Sequence, residues 1–222
     1  LNESLATIDL NPSGDHPKAS VIWLHGLGAD ANDFVPIVEQ FDLLNQYKVR
    51  FVFPAAPIRS ITVNGGMRMR GWYDIAELDI ARREDALGIQ DSARLLAQLI
   101  EREKALGIPY DQIVLAGFSQ GGALALHTGL RYPERLGGII ALSCYLPLLS
   151  TFLEERNPAN QATPIFMAHG LFDPVVPLML GEQAKTQLEQ LDYKVSWKTY
   201  PMPHTVLPEE IDDIGQFLLN RM

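Results

Sequence analysis

Short apolar runs alternate with longer segments of helical period from one end of the chain to the other. Ala19–Leu24, Val49–Phe53, Ile113–Ala116, Leu136–Ser143 and Ile165–Ala168 read as buried strands, short runs bounded by glycine, proline or polar residues. Val195–Tyr200 alternates as a half-buried strand does, and Leu5–Leu10 alternates weakly, as an edge strand does. Apolar residues at Leu87, Ile89, Leu95, Leu96, Leu99 and Ile100 predict a helix within Arg83–Leu106, with Gly107 just past its end. Further helices are predicted over Ala123–Leu130, Leu180–Leu191 and Leu207–Met222, and one capped by Asn32 or Asp33 runs through about Leu44. Two stretches have no period: Ser60–Tyr73, rich in glycine, methionine and arginine, and Tyr145–Thr163.

This alternation predicts an α/β fold with a mostly parallel sheet covered by helices on both faces. The length, 222 residues, suits one domain spanning 1–222 with a sizeable core. The Ser60–Tyr73 excursion falls at the carboxyl edge of such a sheet, where ligands bind.

The candidate chemistry starts at Gly117-Phe118-Ser119-Gln120-Gly121. A serine between glycines, after a buried strand and before a helix, is held out at the end of the sheet on a sharp turn. The helix start behind it offers unpaired N–H groups to a developing oxyanion. Such a nucleophile needs a base, and the base an orienting acid. His204 is the best-placed base, in the loop between the last strand and the last helix, with Pro203 before it. Asp173 follows a strand end, four residues after His169. Asp74 and Asp79 precede the nucleophile; the order Ser119, Asp173, His204 is that of the α/β-hydrolase arrangement. The oxyanion donors expected are the main-chain N–H groups of Gln120 and Leu27, the latter in His25-Gly26-Leu27-Gly28.

The other histidines read otherwise. His16 lies in a polar turn, His127 two turns into the helix after Ser119, and His25 and His169 at tight strand ends as structural residues. Cys144, the single cysteine, reads as an inert buried thiol. It excludes an intrachain disulfide and a thiolate metal cluster, and it favours a reducing, cytoplasmic compartment. The net charge of −9 argues against nucleic acid as a partner. No apolar run approaches a membrane span, and the start has no basic region leading into an apolar core. Tyr145–Thr163 is too short for an independent lid domain, which predicts an open, shallow site without strong interfacial activation. Trp72, Leu146 and Leu171, with Leu27, are the candidates for lining an acyl pocket.

With these residues assembled, the chain resembles the small α/β-hydrolases of the carboxylesterase and acyl-protein thioesterase (phospholipase/carboxylesterase) family over nearly its whole length. The resemblance rests on His25-Gly26-Leu27-Gly28, Phe53-Pro54-Ala55-Ala56-Pro57, Gly71-Trp72-Tyr73-Asp74, Gly117-Phe118-Ser119-Gln120-Gly121-Gly122, His169-Gly170-x-x-Asp173-x-Val175-Val176-Pro177 and His204. Gly71-Trp72-Tyr73-Asp74-Ile75 with Arg83-Glu84-Asp85 looks closest to the bacterial carboxylesterases. Ala29 stands where the thioesterase branch usually has an aspartate. The resemblance implies hydrolysis of carboxylic esters without a cofactor or metal, and a homodimer. The leading expectation is a serine carboxylesterase for short- to medium-chain esters. The alternatives are an acyl-protein thioesterase or lysophospholipase for longer chains, an acyltransferase, and a non-catalytic binding protein on the same fold.

Overall fold

The structure, a computed structural model, describes residues 5–12, 16–39, 43–77 and 83–221. Its strands are β1 (Thr7–Leu10), β2 (Ala19–Leu24), β3 (Val49–Pro54), β4 (Ile58–Ile61), β5 (Met67–Arg70), β6 (Ile113–Phe118), β7 (Gly138–Leu142), β8 (Ile165–Gly170) and β9 (Val195–Tyr200). Its α-helices are α1 (Val35–Val38), α2 (Leu43–Gln46), α3 (Ala86–Ala105), α4 (Gln120–Arg131), α5 (Leu149–Glu155), α6 (Leu178–Gln190) and α7 (Pro208–Leu219).

Seven strands form one sheet in the order β1-β3-β2-β6-β7-β8-β9. All neighbours are parallel except the edge pair β1 and β3. The side-chain period of two divides the core into two layers. Ile22, Leu24, Leu115, Ile139 and Met167 face α3, α4, α5 and α6, where Leu96, Leu126, Phe152 and Leu188 are buried against them. Val21, Trp23, Val114, Ile140 and Phe166 face the other way, onto Val38 of α1 and Ile214, Phe217 and Leu218 of α7. The central strands β2, β3, β6, β7 and β8 are buried along almost their whole length, which is why they read as continuous apolar runs.

Three expectations need correction. Ser60–Tyr73 is not irregular throughout. β4 and β5 form an antiparallel hairpin, Ile58 opposite Arg70 and Ile61 opposite Met67, turned by Gly65 and Gly66 at φ of 67° and 79°. Tyr145–Thr163 contains α5, and its Tyr145, Leu146, Leu148 and Phe152 are core residues. The helix expected from Asn32 or Asp33 to about Leu44 is two short pieces, and α1 begins after Phe34 with no side-chain cap. Both the Asn32 N–H and its side-chain amide donate to Asp30 Oδ1, so Asn32 is spent on a turn instead of a cap. Residues 40–42, inside that expected helix, lie outside the described residues.

Candidate active site

β6 delivers the chain to Ser119, and α4 starts at the next residue. Ser119 has φ 56° and ψ −120°, a conformation L-residues rarely adopt. Its N–H donates to the Leu142 carbonyl of β7 at 2.8 Å and its carbonyl accepts from Ala123 N–H at 3.0 Å, so the bend is held from both sides. The flanking glycines are required by close approach. A Cβ on Gly117 would lie 2.3 Å from the Gly121 carbonyl, and a Cβ on Gly121 would lie 2.4 Å from the Leu24 oxygen. Without these side chains, α4 seats its first turn directly on the ends of β6 and β2. That is why the helix reaches back to Gln120, beyond the expected start at Ala123.

β8 leads into the turn that carries Asp173. One carboxylate oxygen, Oδ1, accepts from the N–H groups of Val175 and Val176 at 2.8 and 2.9 Å. The other, Oδ2, accepts from His204 Nδ1 at 2.6 Å. A carboxylate can only accept, so the His204 proton sits on Nδ1 and Nε2 keeps its lone pair. The loop after β9 brings His204 there. Leu171 N–H bonds to the Tyr200 carbonyl and Phe172 N–H to the Met202 carbonyl, which zips the two loops together. The His204 ring stands 4.6 Å from that of Phe118, the residue before the serine.

Ser119 and His204 open into one cleft of about 640 Å³, within the range of small-molecule sites. Leu27, Phe118, Val175 and Val206 line it on the sheet side, and Val63 and Ile75 line it from the hairpin and the loop after it. The Leu27 loop is fixed by the bond from Gly28 N–H to the Arg70 carbonyl at 2.8 Å, with Gly28 at φ 75°. Gln120 is the first residue of α4, where main-chain N–H groups have no intrahelical acceptor.

The acyl-pocket candidates are placed differently from the expectation. Trp72 is fully buried and Leu146 nearly so, both within the core, and neither lines the cleft. Leu171 is exposed, on the loop before Asp173, and lies outside the lining too. Leu27 does line it. Beside Leu27, the apolar wall is made by Phe34, Ile37, Val63, Ile75, Phe118, Val175 and Val206. Phe118 and Val175 belong to the motifs around the serine and the aspartate, and Ile75 closes the Gly71-Trp72-Tyr73-Asp74-Ile75 motif, so those three carried a sequence signal.

Among the described residues, the other candidate groups lie outside this cleft. His25 is buried, with Nδ1 toward the Gly26 carbonyl at 2.7 Å and Nε2 accepting from Ala56 N–H at 3.0 Å. Burial lowers its pKa, which keeps it neutral. His169 is equally buried and donates from Nε2 to the Val176 carbonyl at 2.9 Å, bracing the Asp173 turn; burial lowers its pKa as well. His127 is buried in α4, where burial takes it to about 3, and His16 is exposed. Asp74 is occupied by the Thr62 N–H and hydroxyl, and Asp79 lies outside the described residues. Cys144 is buried, and burial pushes its thiol far up. Among the described residues, no helix is long and apolar enough to cross a membrane, and no group of three or more His, Cys, Asp or Glu could hold a metal ion.

Residues 7–221 match the family model described as phospholipase/carboxylesterase. Acyl-protein thioesterase 1 of Neurospora crassa is 43% identical over 222 residues, 96% of this chain and 91% of the relative. The protein of that name in Gibberella zeae is 41% identical over 220 residues, 95% and 94% of the two chains. The crystal structure of Zea mays acyl-protein thioesterase 2 superposes with a TM-score of 0.86 at 28% identity, covering 97% of this chain and 98% of that one. These sequence relatives are fungal and carry thioesterase names, so they do not support the expected closeness to bacterial carboxylesterases. With its mostly parallel sheet covered by helices on both faces, the chain has the α/β-hydrolase fold; it belongs to the phospholipase/carboxylesterase family and is a carboxylic ester hydrolase.

Proposed function

We propose that Ser119, His204 and Asp173 form a catalytic triad that removes acyl groups, through an acyl-enzyme, from thioesters on polypeptides. The observation that carries the reading is the Asp173–His204 bond, with His204 lining the same cleft as Ser119. His204 Nε2 takes the proton of the Ser119 hydroxyl as Oγ bonds to the acyl carbon. The tetrahedral oxyanion accepts from the Gln120 and Leu27 N–H groups. As it collapses, the C–S bond breaks and His204 gives its proton to the departing thiolate. Water then attacks the acyl carbon, giving up a proton to His204. The Ser119 ester bond breaks, a carboxylic acid leaves, and the proton returns to Ser119. Asp173 stays ionised throughout and stabilises the imidazolium.

The thioester preference draws on the names of relatives 41–43% identical over nearly the whole chain. One observation favours a second reading, short- to medium-chain ester hydrolysis by the same residues. Ala29, at the position where the thioesterase branch usually has an aspartate, lines the cleft. The deciding experiment is a series of p-nitrophenyl esters from acetate to palmitate beside an S-palmitoyl peptide, on wild type and Ser119→Ala. Fastest turnover of the thioester, lost in the variant, supports the first reading. A short-chain ester maximum with no thioester turnover supports the second. Normal turnover by folded Ser119→Ala overturns both. A homodimer remains an expectation from the family, read out by sedimentation equilibrium.

A further inference from the structure

Gln120 enters the proposed chemistry through its main-chain N–H, yet its side chain is buried and bonded at both ends. Its Oε1 accepts from the Trp72 N–H at 2.7 Å, and its Nε2 donates to the Tyr73 carbonyl at 2.7 Å. A carboxamide that accepts from one residue and donates to the next stands in for a neighbouring strand. Residues 72 and 73 are thereby tied to the first residue of α4.

Trp72 carries the connection onward. Its indole Nε1–H donates to the His25 carbonyl at 2.9 Å, and its ring centre lies 5.3 Å from that of His25. The Trp72 carbonyl in turn accepts from the Ser92 hydroxyl of α3, which anchors the segment to the core. Gly71 completes the contact. A Cβ there would meet Leu27 Cδ1 at 2.9 Å, so the Leu27 side chain lies against bare backbone. Three consecutive residues, 71–73, touch Leu27, the His25 carbonyl and the Gln120 side chain in turn.

The two proposed oxyanion donors sit on different elements, one on the loop after β2 and one at the start of α4. Donors of this kind work only when held to within about 0.5 Å of the productive geometry. We infer that Gln120 and Trp72 are positioning residues, a relay through Gly71–Tyr73 that holds the Leu27 N–H in register with the Gln120 N–H. The inference rests on the proposed nucleophile and oxyanion donors. It assigns the Gln120 side chain a role separate from its backbone, and it gives an indole buried in the core a part in a site it does not line.

The test uses two variants of the full chain. Trp72→Phe keeps an aromatic ring and removes the N–H that reaches His25. Turnover of p-nitrophenyl butyrate is measured per folded molecule, together with affinity for an alkyl trifluoromethyl ketone. That ketone adds to Ser119 Oγ and places its oxyanion between the two donors. We expect kcat to fall about 10-fold, short of the 10²–10³ lost with a whole donor. KM stays within about twofold, and ketone affinity falls in parallel with kcat. Gln120→Glu gives a second readout. Its buried carboxyl accepts from Trp72 and donates to Tyr73 only when protonated. The ratio of variant to wild-type kcat therefore rises as the pH falls from 9 to 6. Unchanged kcat and ketone affinity in Trp72→Phe, or a rise in KM alone, overturns the relay. If Trp72→Phe does not fold, a pH-independent ratio in Gln120→Glu overturns it. Either result, in a protein that Ser119→Ala inactivates, leaves the triad standing; an active Ser119→Ala removes the triad and the relay together.

Discussion

The Asp173 carboxylate lies 2.6 Å from His204 Nδ1 through one oxygen, while its other oxygen holds the Val175 and Val176 N–H groups. The proposed acid, Asp173, is held by its own turn as well as by the proposed base, His204. Asp173→Asn keeps an oxygen for that turn and presents an amide to Nδ1. The imidazole then carries its proton on Nε2, the nitrogen that in the proposed chemistry must accept the serine proton. We expect kcat to drop on the order of 10⁴-fold with little loss of stability, checked by ester turnover and thermal melting.

Ser119 occupies φ 56°, ψ −120°, a region that costs a residue with a Cβ about 1–3 kcal/mol. Ser119→Gly and Ser119→Ala should both lose activity, on the order of 10⁴–10⁶-fold in kcat. Only the glycine variant relieves the strain, so it should be the more stable of the two by about 1 kcal/mol in urea unfolding.

Gly121 supports the site through its missing side chain. Alanine there would put a Cβ 2.4 and 2.6 Å from the Leu24 and His25 carbonyl oxygens, both backbone atoms that cannot rotate away. Gly121→Ala should push α4 off the end of β2, just where the Leu27 loop begins. A loss of about 2–4 kcal/mol is expected, with esterase activity falling further than the folded fraction. Calorimetry and turnover on the same preparation separate the two.

Glu210, in the first turn of α7, is fully buried, and among the described residues its carboxylate has no side-chain partner, with only the Leu207 main-chain N–H to favour the charged form. Burial raises its pKa from 4.5 to about 8. Between those values the folded state holds a proton that the unfolded state has released. Stability therefore falls as pH rises from about 4.5 to about 8 and levels off above. Glu210→Gln removes this slope and should stabilise the protein at pH 8 by on the order of 2–4 kcal/mol. Urea unfolding at pH 5, 6.5 and 8 gives the comparison. An unchanged slope in the variant would assign the dependence to other groups.

The sequence was most legible where a backbone constraint is local. Gly117, Gly121 and Gly122 around Ser119 mark a turn only small residues allow, and the structure builds that turn. Asp173 and His204 were readable because parallel strands deliver their loops to one edge, and the two side chains meet there. The acyl wall was less legible, because lining depends on packing between distant segments. Trp72 looked available in a glycine-rich loop, but its ring is consumed between His25 and the core. Val63 lines the cleft from the turn of the β4–β5 hairpin and Ile75 from the loop after it, the two joined by the bond from Val63 N–H to the Ile75 carbonyl. The paired Gly65-Gly66 between two four-residue strands was the signal for that hairpin. Polar residues near a helix start misled for a local reason: Asp30 captures Asn32 before it can cap α1.

The proposed triad stands on Ser119 as the nucleophile. Wild type and Ser119→Ala are treated with a fluorophosphonate, digested and mapped by mass spectrometry. One adduct is expected, on the peptide carrying Ser119, forming in step with loss of esterase activity and absent from the variant. An adduct on another residue, or full inactivation with Ser119 unmodified, would contradict it.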